Sequence, residues 1–122
     1  MKSFIGLITL LLLSPAKAQS QPPEGTYVCN DLVLGANGFY RYQLADTFVI
    51  TGSNQYQRTV SDTAGQFQLE PEGSIVFLSG PYQDVKVGQY QAPQKAEDHP
   101  NIILSKIGEE SRDSDWFCSL EP

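Results

Sequence analysis

The stretch Gly65-Gln66-Phe67-Gln68-Leu69-Glu70-Pro71-Glu72-Gly73-Ser74-Ile75-Val76-Phe77-Leu78-Ser79 decides the fold. Its first six residues alternate polar and apolar, the two-residue period of a strand with one covered face, so Phe67 and Leu69 point to a core and Gln66, Gln68 and Glu70 to water. Pro71-Glu72-Gly73 supplies turn chemistry. Ser74 to Ser79 then carries β-branched and aromatic residues on both faces, as in a more deeply covered strand, and the two runs make a hairpin.

The same design recurs outward in both directions. Gly88-Gln89-Tyr90-Gln91-Ala92 repeats the opening and Asn101-Ile102-Ile103-Leu104-Ser105 the closing run, with a loop from Pro93 to Pro100 between them. Gly25-Thr26-Tyr27-Val28-Cys29 echoes the opening again. Asp46 to Thr51 and Gln55 to Val60 pair across Gly52-Ser53-Asn54, and Trp116 to Leu120 close the set. Glycine and proline interrupt nearly every window long enough for three helical turns. The reading is therefore all-β: an antiparallel up-and-down meander of seven to eight strands whose core takes in Phe67, Leu69, Ile75, Phe77, Ile103 and Trp116. Such a sheet must hide its edges, which favours a closed or nearly closed barrel; a two-sheet sandwich is the alternative.

At 122 residues, 40% hydrophobic and 18% charged, the chain fits one globular domain and neither a disordered chain nor a coiled coil. Its start reads as a secretory signal. Lys2 is followed by a mostly apolar run from Phe4 to Leu13, and Ala16-Lys17-Ala18 fits the small-x-small cleavage rule. The run is shorter than the roughly 20 residues that span a bilayer. The division is a signal over 1–18, a short lead-in over 19–23 and a single β domain over 24–122, secreted or periplasmic and without a membrane anchor after cleavage.

Cys29 and Cys118 are the two cysteines, and in an oxidising compartment an even count points to a bridge. A two-cysteine metal site is the rival, but His99 is the sole histidine and leaves too few ligands for a closed zinc shell. The net charge is −6, and it becomes two units more negative once Lys2 and Lys17 leave with the signal. Such a chain is repelled by nucleic-acid phosphate and by anionic lipid, which leaves basic proteins, cations and neutral small molecules as partners.

Gly25-x-Tyr27-x-Cys29, Gly65-x-Phe67, Ser79-Gly80-Pro81-Tyr82 and the late Cys118 together resemble a recurring type of small secreted bacterial β-protein, a likeness that covers most of the chain after the signal and implies a fold and a compartment but no activity. In architecture the chain is also similar to the lipocalin and avidin kind of barrel, which opens on Gly-x-Trp. That resemblance implies a small apolar or amphipathic ligand in the lumen. Tyr27 stands where the tryptophan would be, and the chain is short for a lipocalin cavity.

Catalytic patterns are absent from the sequence: there is no nucleophile elbow, no zinc-protease helix motif, no phosphate-binding loop and no cofactor motif. His99, between Asp98 and Pro100, reads as an exposed turn residue rather than a general base. Glu109, Glu110, Asp113 and Asp115 form an acidic segment without the spacing of an EF-hand loop, with Arg112 as local compensation. After the turn segment Gly35 to Gly38 come Phe39, Tyr40, Arg41 and Tyr42. Ordinary packing of an early strand is the simpler account of these aromatics; a contact surface with Tyr40, Arg41 and Tyr42 as binding residues is the functional one.

Three classes of function follow. A non-enzymatic binding module for a small ligand or a protein suits a secreted β domain best. An acidic inhibitor of a basic secreted hydrolase, such as a lysozyme, is its sharpest form, and an enzyme built on dispersed carboxylates is the third class. A filled or hollow interior and a protruding loop discriminate among them. Mass spectrometry of the exported protein is expected to show a chain that begins at Gln19; an intact Met1 start would overturn the signal reading.

Overall fold

The computed structural model describes residues 21–108 and 115–122. Eight antiparallel strands run in sequence order: β1 Gly25–Leu34, β2 Tyr40–Gly52, β3 Gln55–Arg58, β4 Thr63–Leu69, β5 Ser74–Phe77, β6 Lys86–Gln91, β7 Asn101–Lys106 and β8 Trp116–Leu120. Each pairs with the next, and β8 returns to β1, so the sheet is a closed up-and-down barrel and not a sandwich. The signal segment and Gln19 lie outside the described residues, as do Glu109, Glu110, Arg112 and Asp113.

Closure is fixed at one register. Tyr27 pairs with Leu120, Cys29 with Cys118 and Asp31 with Trp116, and the two cysteines form a disulfide across the seam with a sequence separation of 89. Both cysteines face the interior and are buried. In the chain-entropy account a bridge over a loop of this length stabilises by roughly 4 to 5 kcal/mol.

Tyr27, Phe48, Ile50, Tyr56, Phe67, Ile75, Phe77, Tyr90, Ile102 and Leu104 fill the interior, one or two from each of β1 to β7 as the period of two requires, with Cys118 from β8 and Tyr82 from the segment after β5. Aromatic rings occupy most of it: Tyr27 stacks on Phe48 at 5.3 Å and Tyr56 on Tyr82 at 5.4 Å. The void left among Phe48, Ile50, Tyr56, Phe67, Ile75, Phe77 and Ile102 is about 10 Å³, at the limit for one water molecule. Among the described residues this interior leaves no lumen of the kind the lipocalin resemblance implies.

Phe67 is buried as the alternation requires, Ile75 and Phe77 are buried as core residues of their apolar run, and Leu69 and Trp116 pack half-buried against the core. Val76 and Leu78 are exposed, however, so the run from Ser74 to Ser79 is covered on one face and not on both. Ile103 is a correction. It is half-buried on the outer surface opposite Phe117, while Ile102 and Leu104 point inward. The run Ile102-Ile103-Leu104 is apolar at every position, so alternation is silent there, and the pairing of Ile102 with buried Cys118 sets the facing.

Two of the sequence motifs turn out to be one packing device. The segment after β5 folds back over β4, and a Cβ on Gly65 would stand 2.2 Å from the Ser79 carbonyl oxygen. Gly80, at φ +91°, lies against Gly65 in turn. That close approach lets Tyr82 drop into the end of the barrel, where its backbone N–H donates to Tyr56 Oη at 3.0 Å and Tyr56 Oη donates to the Ser79 carbonyl at 2.9 Å.

Truncating inward and outward residues should therefore give unequal costs. Phe77→Ala is expected to lose roughly 3–5 kcal/mol and Leu104→Ala roughly 2–5 kcal/mol of stability in denaturant unfolding, and Ile103→Ala less than half of the Leu104 value. Equal losses at 103 and 104 would contradict the facing of β7.

Candidate functional site

The first hairpin is longer than its hydrophobic motif. β1 and β2 continue past the barrel as a two-stranded arm in which Leu32 pairs with Tyr42 and Leu34 with Tyr40. A turn closes its tip: Gly35 N–H donates to the Phe39 carbonyl at 2.8 Å, Gly38 N–H to the Gly35 carbonyl at 3.0 Å, and Phe39 N–H to Asn37 Oδ1 at 3.0 Å.

A bulge decides what the arm displays. Asp46 lies opposite Cys29 and Leu44 opposite Asn30, so Ala45 is an extra residue in β2. An extra residue reverses the facing of everything beyond it. Asp46, Phe48 and Ile50 therefore point into the barrel, while Tyr40, Tyr42 and Leu44 point out, at 66%, 67% and 62% exposure. Leu32 and Leu34 on β1 stand on the same outer face, and Tyr42 meets Phe117 of β8 edge-on at 6.5 Å. Ordinary strand packing does not account for these aromatics, which corrects that expectation.

Of the three expected binding residues, the arm brings Tyr40 and Tyr42 together and sets Arg41, exposed and opposite Val33, on its other face. Phe39 is exposed at the tip. Leu32, Leu34, Leu44 and Phe117 complete the apolar face and were missed by sequence reasoning. The doublets Leu32/Leu34 and Tyr40/Tyr42 are spaced for one face, but nothing in the sequence marks Ala45 as the bulge that turns the second doublet outward. Beside them a shallow groove of about 320 Å³ runs past Asn30, Tyr42, Ile103 and Phe117 to Gln91, Asn101 and Ser119, which makes a polar rim.

Beneath the arm the barrel end is closed by a buried polar network. Asp46 Oδ2 accepts hydrogen bonds from Tyr82 Oη and Arg58 Nε, both at 2.7 Å, and Asp46 Oδ1 accepts the Thr47 N–H at 2.9 Å. Lys86 lies 3.9 Å above the Trp116 ring. Burial pulls the Lys86 ammonium below its ordinary value, the charge of Lys106 adds to the shift, and Asp115, Asp46 and Asp31 partly offset it. Asp31 Oδ1 is a buried oxygen with no hydrogen-bond partner among the described residues. The opposite end is an open mouth of about 790 Å³ floored by Phe67 and Tyr90 and walled by Pro22, Pro23, Pro93 and Pro100. His99 is exposed in the loop beside it.

No protein-family model matches the chain, and neither the curated proteins nor the solved structures contain a significant match.

The buried tyrosines set an alkaline limit. Burial raises the hydroxyls of Tyr27, Tyr56, Tyr82 and Tyr90 above their ordinary value of 10.0, and at Tyr82 the hydrogen bond to Asp46 adds to the effect. A raised value in the fold means that their contribution is fully present below about pH 10 and is lost as pH rises through the folded value. Lys86 works in the opposite sense, but only up to its ordinary value of 10.5. Stability is expected to fall above about pH 10, with tyrosinate absorbance of the buried rings rising together with loss of near-ultraviolet circular dichroism. Ionisation of all tyrosines in a chain that keeps its tertiary signal would contradict this.

Proposed function

We propose that the protein is a secreted or periplasmic binding module that acts without catalysis and docks on a basic protein through the outer face of the β1–β2 arm. The observation that carries this reading is the exposure of Leu32, Leu34, Tyr40, Tyr42, Leu44 and Phe117 on one continuous face. A cluster of exposed leucines and aromatics gains nothing for the fold and marks interaction surfaces, with tyrosine favoured as an anchor. The interior is packed, so a carrier with its ligand inside the barrel has no room. A net charge of −6 favours encounter with a positively charged protein, while the arm face itself carries no charge to desolvate.

A protruding, aromatic-tipped hairpin also suits the inhibitor form of this function, in which Phe39 and the arm enter the cleft of a basic secreted hydrolase. A second reading, a small ligand held at the barrel mouth, rests on the hollow over Phe67 and Tyr90, whose size is within the usual range for ligand sites.

A pull-down from the native compartment with the wild type and with Tyr40→Ala/Tyr42→Ala, at low and high salt, tests the arm. Expected is a basic protein captured by the wild type, lost with the double variant and weakened by salt, since ions screen such attraction beyond about 10 Å at 0.1 M. Equal recovery of every partner by both proteins removes the arm from the function; a salt-insensitive small ligand displaced by Tyr90→Ala favours the mouth.

A further inference from the structure

Closure into a barrel pairs the strands along most of their length, and the exception on β2 lies in the arm. β2 joins β3 only from Phe48 onward, with one more bond where Thr59 N–H donates to the Thr47 carbonyl. Among the described residues, Tyr40 to Leu44 have no partner on the side away from β1. An exposed strand edge of this kind is a template for another strand. It contains no proline and no lysine, and Arg41 is its one charged residue.

We infer that a second copy of this chain occupies the edge, pairing antiparallel about Tyr42 to give a four-stranded sheet across a two-fold axis. The residue pattern favours this register over one centred on Arg41, and a second copy over a basic segment. Centred on Tyr42, Tyr40 faces Leu44 of the second copy, Tyr42 faces Tyr42, and Arg41 faces Gln43, so no like charges meet. Centred on Arg41, two guanidiniums would lie directly opposite each other, a destabilising arrangement. A basic extended segment would set its own cations against Arg41, whereas a second copy offers an amide there.

Because opposed residues in an antiparallel pair point to the same side, Tyr40, Tyr42 and Leu44 of both copies fall on one face. Strand addition therefore doubles the apolar surface of the arm instead of consuming it. The inference rests on the reading of the arm as a contact surface, but it uses the backbone edge and the Arg41/Gln43 face, which the docking face does not.

Sedimentation of the purified protein over the micromolar range is expected to show a concentration-dependent dimer that salt strengthens, since two chains of net charge −6 repel each other until screened. Salt acts in the opposite direction on capture of a basic partner, which keeps the two readings apart. Gln43→Lys places lysine opposite the second copy's Arg41 at two symmetric positions and should weaken the dimer several-fold, to roughly tenfold. It leaves the fold intact because Asp31 is its neighbour on β1, and near-ultraviolet circular dichroism checks this. The swap Arg41→Glu/Gln43→Lys should restore the dimer. Tyr42→Cys should cross-link two chains under mild oxidation, and Leu34→Cys, equally exposed but on β1, should not. A protein monomeric at every concentration, or a dimer indifferent to the charge swap and uncrosslinked through position 42, overturns the inference. A monomer that still captures its partner through Tyr40 and Tyr42 overturns only the dimer; a dimer that captures nothing overturns only the docking function.

Discussion

The register of β8 on β1 is the constraint on which the rest depends. A meander of eight short strands leaves its first and last strands as free edges unless they meet, and they meet here with Cys29 directly opposite Cys118. The covalent link carries the register to its neighbours. It turns Ile102 and Leu104 inward through β7 and places Trp116 against Tyr82 at 6.3 Å. Because side chains alternate with a period of two, a slip of one residue at this seam would put Phe117 inside and Cys118 outside. A disulfide between directly opposed residues prevents that slip in a way that apolar packing alone would not.

With the seam fixed, two local irregularities shape the ends of the barrel. The Ala45 bulge lets β2 be amphipathic in opposite senses along its length: core-facing from Asp46 onward, water-facing before it. The same bulge delivers Asp46 to the inside, where a carboxylate needs donors, and Tyr82 and Arg58 supply them. Tyr82 can do so only because Gly65 and Gly80 let two backbone segments touch. A side chain at either glycine would lift the loop, withdraw the hydroxyl from Asp46 and open the stack on Tyr56. The buried network beneath the arm and the exposed face upon it thus share a cause.

Much of this was legible in the residues. Phe67 declared its facing through alternation, Ile75 and Phe77 declared themselves core through an apolar run whose two faces the sequence did not tell apart, and Trp116 to Leu120 formed a strand at those positions. The facing of Ile103 was not legible, because an all-apolar run carries no period. Nor was the reach of β1 and β2, since the strand motifs stop at Cys29 and begin again at Asp46 while the intervening residues pair through backbone hydrogen bonds that any sequence offers. Of the arm, Tyr40 and Tyr42 stood out by composition, whereas their union with Leu32, Leu34 and Phe117 is a product of pairing between segments far apart in the chain.

The placement of charge gives the arm its character. An acidic chain of this size would be expected to surround any exposed apolar patch with carboxylates as a guard on solubility. Here, among the described residues, the apolar face is flanked by Asn30, Gln91, Asn101 and Ser119, and Asp31 and Asp46, on the paired strands of the arm, are turned to its inner side, Asp46 locked in hydrogen bonds. An amide and hydroxyl rim can exchange water for a partner at little electrostatic cost, while an ionised rim cannot. On the proposed docking function, attraction at a distance would come from the net charge of the molecule, and contact from a face without charged side chains that loses little on being dried. That division, a charged body carrying an arm with one uncharged face, is what the bulge and the seam together produce.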